Sequence, residues 1–167
     1  MVEIDHGFTT EMKYGIVSGF RNNYPLNCFR LLKSEWYNVA KVYPITRKHE
    51  SIEGITAYKS VKVLPEPIDV LVVINKAEIT FEIIKEVLNL PYKPAIWFMP
   101  GSISPESIEL CEENNLKYAE SCLLGHRQFK GISKFINMHY IHSKLSGMHR
   151  IPKQSSNKLT DEELIIE

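Results

Sequence analysis

A chain of 167 residues with 44% hydrophobic and 24% charged residues is long enough to bury a sizeable core and has ordinary globular composition. No apolar run approaches the length of a membrane span, and Met1 to His6 lacks the basic and apolar regions of a signal peptide. The three cysteines, Cys28, Cys111 and Cys122, form no CxxC pair, which argues against a disulfide framework and for a reducing compartment, so the sequence predicts a soluble cytoplasmic protein. The formal net charge is +0, but the charge is unevenly placed along the chain.

Residues 1–12 carry weak signals, compatible with a short helix or a loose arm. Lys13 to Val17 reads as a strand ending at Ser18-Gly19-Phe20, followed by a polar loop through Arg21, Asn22 and Asn23. Asn27 is the expected N-cap of a helix carrying Phe29, Leu31, Leu32 and Trp36, broken at Asn38. Val39 to Tyr43 reads as the second strand, stopped by Pro44. A charged loop, Thr46 to Glu50, leads into Ser51 to Val61, which has little periodicity and should cross the sheet edge, and Ser60 to Leu64 suits a short turn.

Pro65 and Pro67 stop any helix before Ile68 to Ile74, a run apolar on both faces, as strands covered on both faces are. Glu78 to Leu90 places Ile79, Ile83, Ile84, Val87 and Leu88 on one helical stripe. Ala95 to Met99 is a further buried strand. Ser104-Pro105-Glu106 is a helix start, with a capping Ser, a Pro in the first turn and an acid at the positive end of the dipole. Ile108, Cys111 and Leu116 should face inward, Asn114-Asn115 should end that helix, and Leu116 to Glu120 should form a fifth strand. Alternating strands and helices predict a doubly wound α/β sheet of mostly parallel strands.

In such a sheet ligands bind beyond the carboxyl ends of the strands, near the switch point. That rule selects Ser18-Gly19-Phe20-Arg21 with Asn22, Thr46-Arg47-Lys48, Asn75-Lys76, Pro100-Gly101 and Ser121-Cys122. Three of these loops hold a cation, and a helix N-terminus after the first offers backbone N–H groups to an anion, so a phosphate-bearing ligand is expected. Gly15 and Gly19 do not make a GxGxxG motif, and Arg47 and Lys48 follow the second strand where a dinucleotide site keeps an acid. This weighs against NAD and leaves CoA or NADP, with a merely solvated Arg47-Lys48 loop as the alternative.

The same residues carry a resemblance. Val42 to Val61, reading VYPITRKHESIEGITAYKSV, resembles the V-x-P-V-N-P-K-H-x-x-I-x-G-x-x-A-Y-x-S stretch of the small stand-alone CoA-binding proteins related to the CoA-binding domain of succinyl-CoA synthetase. Pro65 to Val70 is similar to the family's P-E-P-V-D-L, Pro100-Gly101 to its Q-P-G-A, and Cys122 to Arg127 to its closing Cys-containing segment. The likeness runs from about Lys13 to Arg127 and implies a Rossmann-like fold that binds CoA. The chain departs from the family in the first loop, where Ser18-Gly19-Phe20 stands for Gly-x-Ser, and at Thr46, which stands for Asn. Phe20 is bulky where a ligand phosphate would approach the backbone.

Cys122 is either a reactive thiol or a small buried hydrophobe, and His126 beside Arg127 suits a phosphate contact or a capping role. His139 and His142 share a helical face, but no Cys or acidic partner is near in sequence, so no metal is assigned. No complete catalytic set appears, and the phosphorylated histidine of the synthetase belongs to a second domain. The favoured function is therefore a non-catalytic CoA-binding or acyl-CoA-binding protein of regulatory or carrier type. The alternatives are a degenerate interaction module that has lost its ligand, and an NADP-linked enzyme.

No Asp or Glu occurs from Ser121 through Thr160, whereas Asp161 to Glu167 is acidic and apolar. A terminal helix over Phe129 to Leu145 should close the domain at residues 1–145, leaving 146–167 as a tail. The basic segment could meet the acidic part of a second subunit in a homodimer, RNA or another polyanion; a solvated basic face is the simpler reading.

Overall fold

The computed structural model describes residues 3–5, 7–34 and 37–126. The proposed terminal helix, the basic segment, the tail, Trp36 and Arg127 all lie outside the described residues. No helix among those described is long and apolar enough to cross a membrane.

The strands β3 (Lys13–Ser18), β4 (Lys41–Ile45), β7 (Val70–Ile74), β8 (Ala95–Phe98) and β9 (Tyr118–Glu120) form one parallel sheet in the order β4-β3-β7-β8-β9. Helices α1 (Asn23–Lys33), α2 (Ala77–Leu88) and α3 (Pro105–Glu113) cover it on both faces. Alternation within the apolar strands divides the core. Tyr14, Ile16, Val70, Val72, Trp97 and Met99 pack with Cys28, Phe29 and Leu32 of α1, whereas Leu71, Val73, Ile96 and Phe98 pack with Ile84 and Val87 of α2 and Cys111 of α3. Burial on both faces is why these strands read as continuous apolar runs. The order places the switch point between β3 and β7.

Several boundaries differ from the sequence expectation. α1 begins at Asn23, with Asn22 as its cap, the side-chain oxygen accepting from the Tyr24 N–H at 3.1 Å; Asn27 lies inside the helix. Pro25 sits in the first turn, where a missing N–H costs nothing. The helix ends at Lys33, capped by Ser34, before Asn38. Pro44 does not stop β4 but lies within it. The strand is at the sheet edge, and the Pro44 carbonyl accepts from Tyr58 N–H on the side away from β3, so the missing N–H points outward. The segment after β4 is not featureless. Ser51–Ile52 (β5) and Ile55–Thr56 (β6) form a hairpin whose two-residue turn, Glu53-Gly54, has φ of 49 and 78°, as a type I′ turn requires.

Residues 3–5 and 7–12 are neither helix nor loose arm. Glu3–Asp5 (β1) and Phe8–Thr9 (β2) form an antiparallel hairpin that packs on the α1 face of the sheet. The Phe8 ring stacks on Trp97 with centroids 4.7 Å apart, and Trp97 Nε1 donates to the Ser121 carbonyl at 3.2 Å. At Gly15 in the centre of the sheet an added Cβ would stand 2.8 Å from Ile68 Cδ1 and 3.0 Å from Ile45 Cδ1, so a larger residue there would make these side-chain ends shift.

A charged clamp closes the opposite end of the sheet from the strand C-termini. Lys13 and Lys41 stand directly opposite each other in the β3–β4 register, an unfavourable placement by itself. Glu66 accepts from Lys13 at 2.7 Å, from Lys41 and from the Tyr43 hydroxyl, so the segment PEP is fixed across both strand starts. These bonds, that from Lys13 foremost, hold the Glu66 carboxyl down from an ordinary 4.5 to about 2. A carboxyl depressed on folding contributes stability above its unfolded value that disappears as pH falls through its folded value. Glu66→Gln should therefore lower the melting temperature at neutral pH, and the difference from wild type should shrink between about pH 4.5 and 2. Thermal scans of both proteins across that window check this.

Candidate functional site: a cation-rimmed cleft at the switch point

A cleft of about 1020 Å³ opens over the C-terminal ends of β3, β4 and β7. Twelve of the fourteen residues selected from sequence line it, all but Ser121 and Cys122: Ser18, Gly19, Phe20, Arg21 and Asn22 after β3, Thr46, Arg47 and Lys48 after β4, Asn75 and Lys76 after β7, and Pro100 and Gly101 after β8. Cys122 does not. Its Sγ is buried beneath α1, 3.4 Å from the Tyr24 hydroxyl, because β9 is the far edge strand and its end turns under the helix. Burial pushes the Tyr24 hydroxyl well above its ordinary range. Cys28 and Cys111 are core residues, as their helical positions suggest, and burial pushes the Cys111 thiol up to about 12. His126 ends a 3-10 turn, Leu123–His126.

The floor is held together by Asn75. Its side-chain amide donates to the Val17 carbonyl at 3.0 Å, and its backbone N–H donates to the Ser102 hydroxyl at 3.1 Å. One residue thus ties the ends of β3 and β7 to the loop after β8. That loop is a turn with Pro100 and Gly101 in its centre, Gly101 having φ of 81° and Ser102 N–H donating to the Met99 carbonyl at 3.0 Å. Thr46 is buried; its hydroxyl accepts from Lys48 N–H at 3.3 Å and its N–H donates to Tyr58 at 2.7 Å. Both bonds fix the loop while Arg47 and Lys48 stay exposed.

Phe20 occupies the left-handed region at φ 47°, and its N–H donates to the Ser18 hydroxyl at 3.3 Å. The ring lies edge-on to Phe29 with centroids 6.4 Å apart and packs against the core on the α1 face, while the residue lines the cleft. At Gly19 an added Cβ would meet nothing closer than Arg21 Cγ at 3.6 Å, so packing within the chain does not demand glycine there.

The electrostatics are lopsided. Lys59 pairs with Glu50 at 2.6 Å and Lys85 with Glu82 at 2.7 Å. Arg21, Arg47, Lys48, Lys62 and Lys76 line the cleft without an ion pair among the described residues. A cleft with unpaired cations on several strand ends is suited to an anion of extended shape. No group of three or more potential metal-ligating side chains occurs among the described residues.

Sequence reasoning missed one wall of the cleft. Lys59 to Lys62 lie beyond the end of β4, since Tyr58 bridges to Ile45, and α2 presents Ile79, Glu82, Ile83 and Glu86 opposite them. Ile79 was expected in the core stripe but is 51% exposed. The available signal was the breadth of that stripe: five aliphatic positions exceed what one sheet contact can bury.

The fold and the cleft define a class, a Rossmann-like domain with a cation-lined cleft at its switch point. The particular family follows from the family described as "CoA binding domain", which matches residues 24–127, so the chain belongs to it. The matched range begins just after the first loop, where the chain departs from the family pattern. A conserved hypothetical protein from Pyrococcus furiosus is 27% identical, with a TM-score of 0.58 over 65% of this chain and 92% of that one. A hypothetical protein from Pyrococcus horikoshii is 21% identical, with a TM-score of 0.60 over 75% of this chain and 94% of that one. A dinucleotide-forming acetyl-coenzyme A synthetase from Ca. Korarchaeum cryptofilum shares the fold at 18% identity and a TM-score of 0.52, over 68% of this chain but 26% of that one. No curated protein matches the chain.

Proposed function

We propose that this protein binds CoA or an acyl-CoA in the switch-point cleft and acts as a regulatory or carrier module, not as an enzyme. The observation that carries the reading is the row of cations without ion pairs among the described residues, Arg21, Arg47, Lys48 and Lys76, around one floor on three strand ends. It agrees with membership of the CoA binding domain family. In this reading the pyrophosphate lies by the first loop and the start of α1, where Gly19 leaves the backbone approachable and Arg21 adds charge. Gly19 supports this further, because the chain's own packing gives no reason for glycine there. Arg47 and Lys48, after the second strand, sit where the ribose and its 3′-phosphate belong. NADP shares that phosphate chemistry and is the second ligand to test.

A ligand that binds only the folded chain raises its melting temperature, by about 2.7 kcal/mol of stabilisation at a hundred times Kd. Millimolar CoA should give a clear shift in a thermal scan, NADP a smaller one and NAD none. Absence of a shift with all three would favour the interaction module that has kept the fold and lost the ligand.

A further inference from the structure

A second hollow, of about 370 Å³, lies at the outer edge of the sheet beside the first half of β4. It is lined by the buried Val39 and Val42, by Ile55 of the hairpin and Tyr58, and by the exposed Lys33 and Lys41. The backbone there is open. The Pro44 carbonyl and the Thr46 N–H both bond Tyr58, on the side away from β3. Strand geometry turns the N–H and C=O of every second residue to the same side, so those of Val42 face the hollow. Neither has a partner among the described residues. An edge strand with an open donor and acceptor is a template for one more strand. The opening is short, since Tyr58 covers β4 from Pro44 onward, and about three residues of an added strand fit it.

We propose that the occupant is the chain's own segment 161–167: Leu164, Ile165 and Ile166 pair with the open edge of β4, and the acids around them meet Lys33 and Lys41. These residues lie outside the described ones, and their chemistry matches the hollow. Three consecutive aliphatic residues, two of them β-branched, have the length and the strand propensity that the opening takes. Asp161, Glu162, Glu163 and Glu167 flank them. Lys33 has no ion pair among the described residues, and Lys41 shares Glu66 with Lys13, so both can take a further carboxylate. Reach is no obstacle, since residues 127–160 span up to roughly 110 Å when extended. A second copy of β4 is a poorer occupant. It would bring two lysine-rimmed edges together, and lysine on an edge strand opposes such pairing. The inference is independent of the nucleotide reading, because the hollow and the cleft share no residue.

Zero-length carbodiimide cross-linking of the full chain, read by peptide mass spectrometry, tests the proposal. Lys33 and Lys41 should couple to the carboxylates of 161–167 in preference to the cleft lysines Lys48, Lys62 and Lys76. In an equal mixture of isotopically light and heavy protein, each coupled pair should carry a single label, as a contact within one chain requires. Ile165→Asp separates strand addition from charge attraction. It adds a negative charge, yet it should cut these products by about fivefold or more, because a carboxylate cannot take the place of a buried aliphatic side chain. The Lys13–Glu66 product should stay unchanged in that variant. The Val42 amide should exchange with deuterium about tenfold faster there, as for a segment docked about nine-tenths of the time, while Val72 in the centre of the sheet keeps its rate. Coupling chiefly to the cleft lysines, no coupling at all, products that persist in Ile165→Asp, or an unchanged Val42 rate would each overturn the inference. Mixed labels would overturn it in favour of the same segment from a second copy.

Discussion

Replacing Arg47 and Lys48 together by alanine should weaken CoA by roughly ten- to a hundredfold and dephospho-CoA by much less. Each charge-assisted hydrogen bond contributes roughly 1.5–3 kcal/mol in a well-formed site. Both side chains are exposed, so solvent and salt reduce that figure, and the range quoted already reflects it. The substitution leaves the fold alone, because what positions this loop is Thr46, through its bonds to Lys48 N–H and Tyr58, and the Lys59–Glu50 pair beyond it. Calorimetry on the two ligands gives the answer directly. Equal losses would mean that the pair contributes general charge and does not read the 3′-phosphate. The loss should also shrink at high salt, as an interaction between exposed charges must.

Trp97→Ala should be among the most destabilising single changes in the chain. Trp97 is fully buried at the middle of β8, and truncating a buried aromatic of this size costs about 3–5 kcal/mol. Two further losses follow from its contacts. The Ser121 carbonyl loses the indole N–H, and Phe8 loses the ring it stacks on, which loosens the N-terminal hairpin from the sheet. Against a typical domain stability of roughly 5–15 kcal/mol this is a large fraction. Trp97→Phe keeps the stacking surface and should lose less, about the indole hydrogen bond and part of the ring area. Urea unfolding of the three proteins measures the order. A Trp97→Ala protein as stable as Trp97→Phe would contradict the packing described.

The strands of the sheet were legible in the chain because both faces are buried. Such strands need no alternation, so Val70 to Ile74 and Ala95 to Phe98 announce themselves as short apolar runs. The capped start of α3 was legible for a local reason too: Ser104 accepts from Ser107 N–H with Pro105 in the first turn, and nothing remote is needed. The start of α1 was not. Asn22 and Asn27 are both good caps, and the choice fell to Asn22 because Pro25 is free of cost only in the first turn and because Cys28, Phe29 and Leu32 must reach the sheet together. Pro44 was misleading for a similar reason. A proline ends a central strand but not an edge strand whose open side needs no donor, and edge position is a property of the sheet order.

The sequence by itself determined the α/β class, the chain order of the five parallel strands and three helices, and the strand-end loops, since apolar periodicity and turn chemistry act over a few residues. It also carried the likeness to the CoA-binding family, in the contiguous run from Val42 to Val61. Only the tertiary structure decided which of those loops meet. Strand order brought four of them to one cleft and sent the end of β9, with Cys122, under α1. The same packing left Ile79 facing the cleft, because the sheet contact of α2 is filled by Thr80, Ile84 and Val87. The place of the Phe20 ring was likewise set by Phe29, on which it packs edge-on, a residue nine positions away. Contacts of this kind depend on where distant segments come to rest, and no local pattern encodes that.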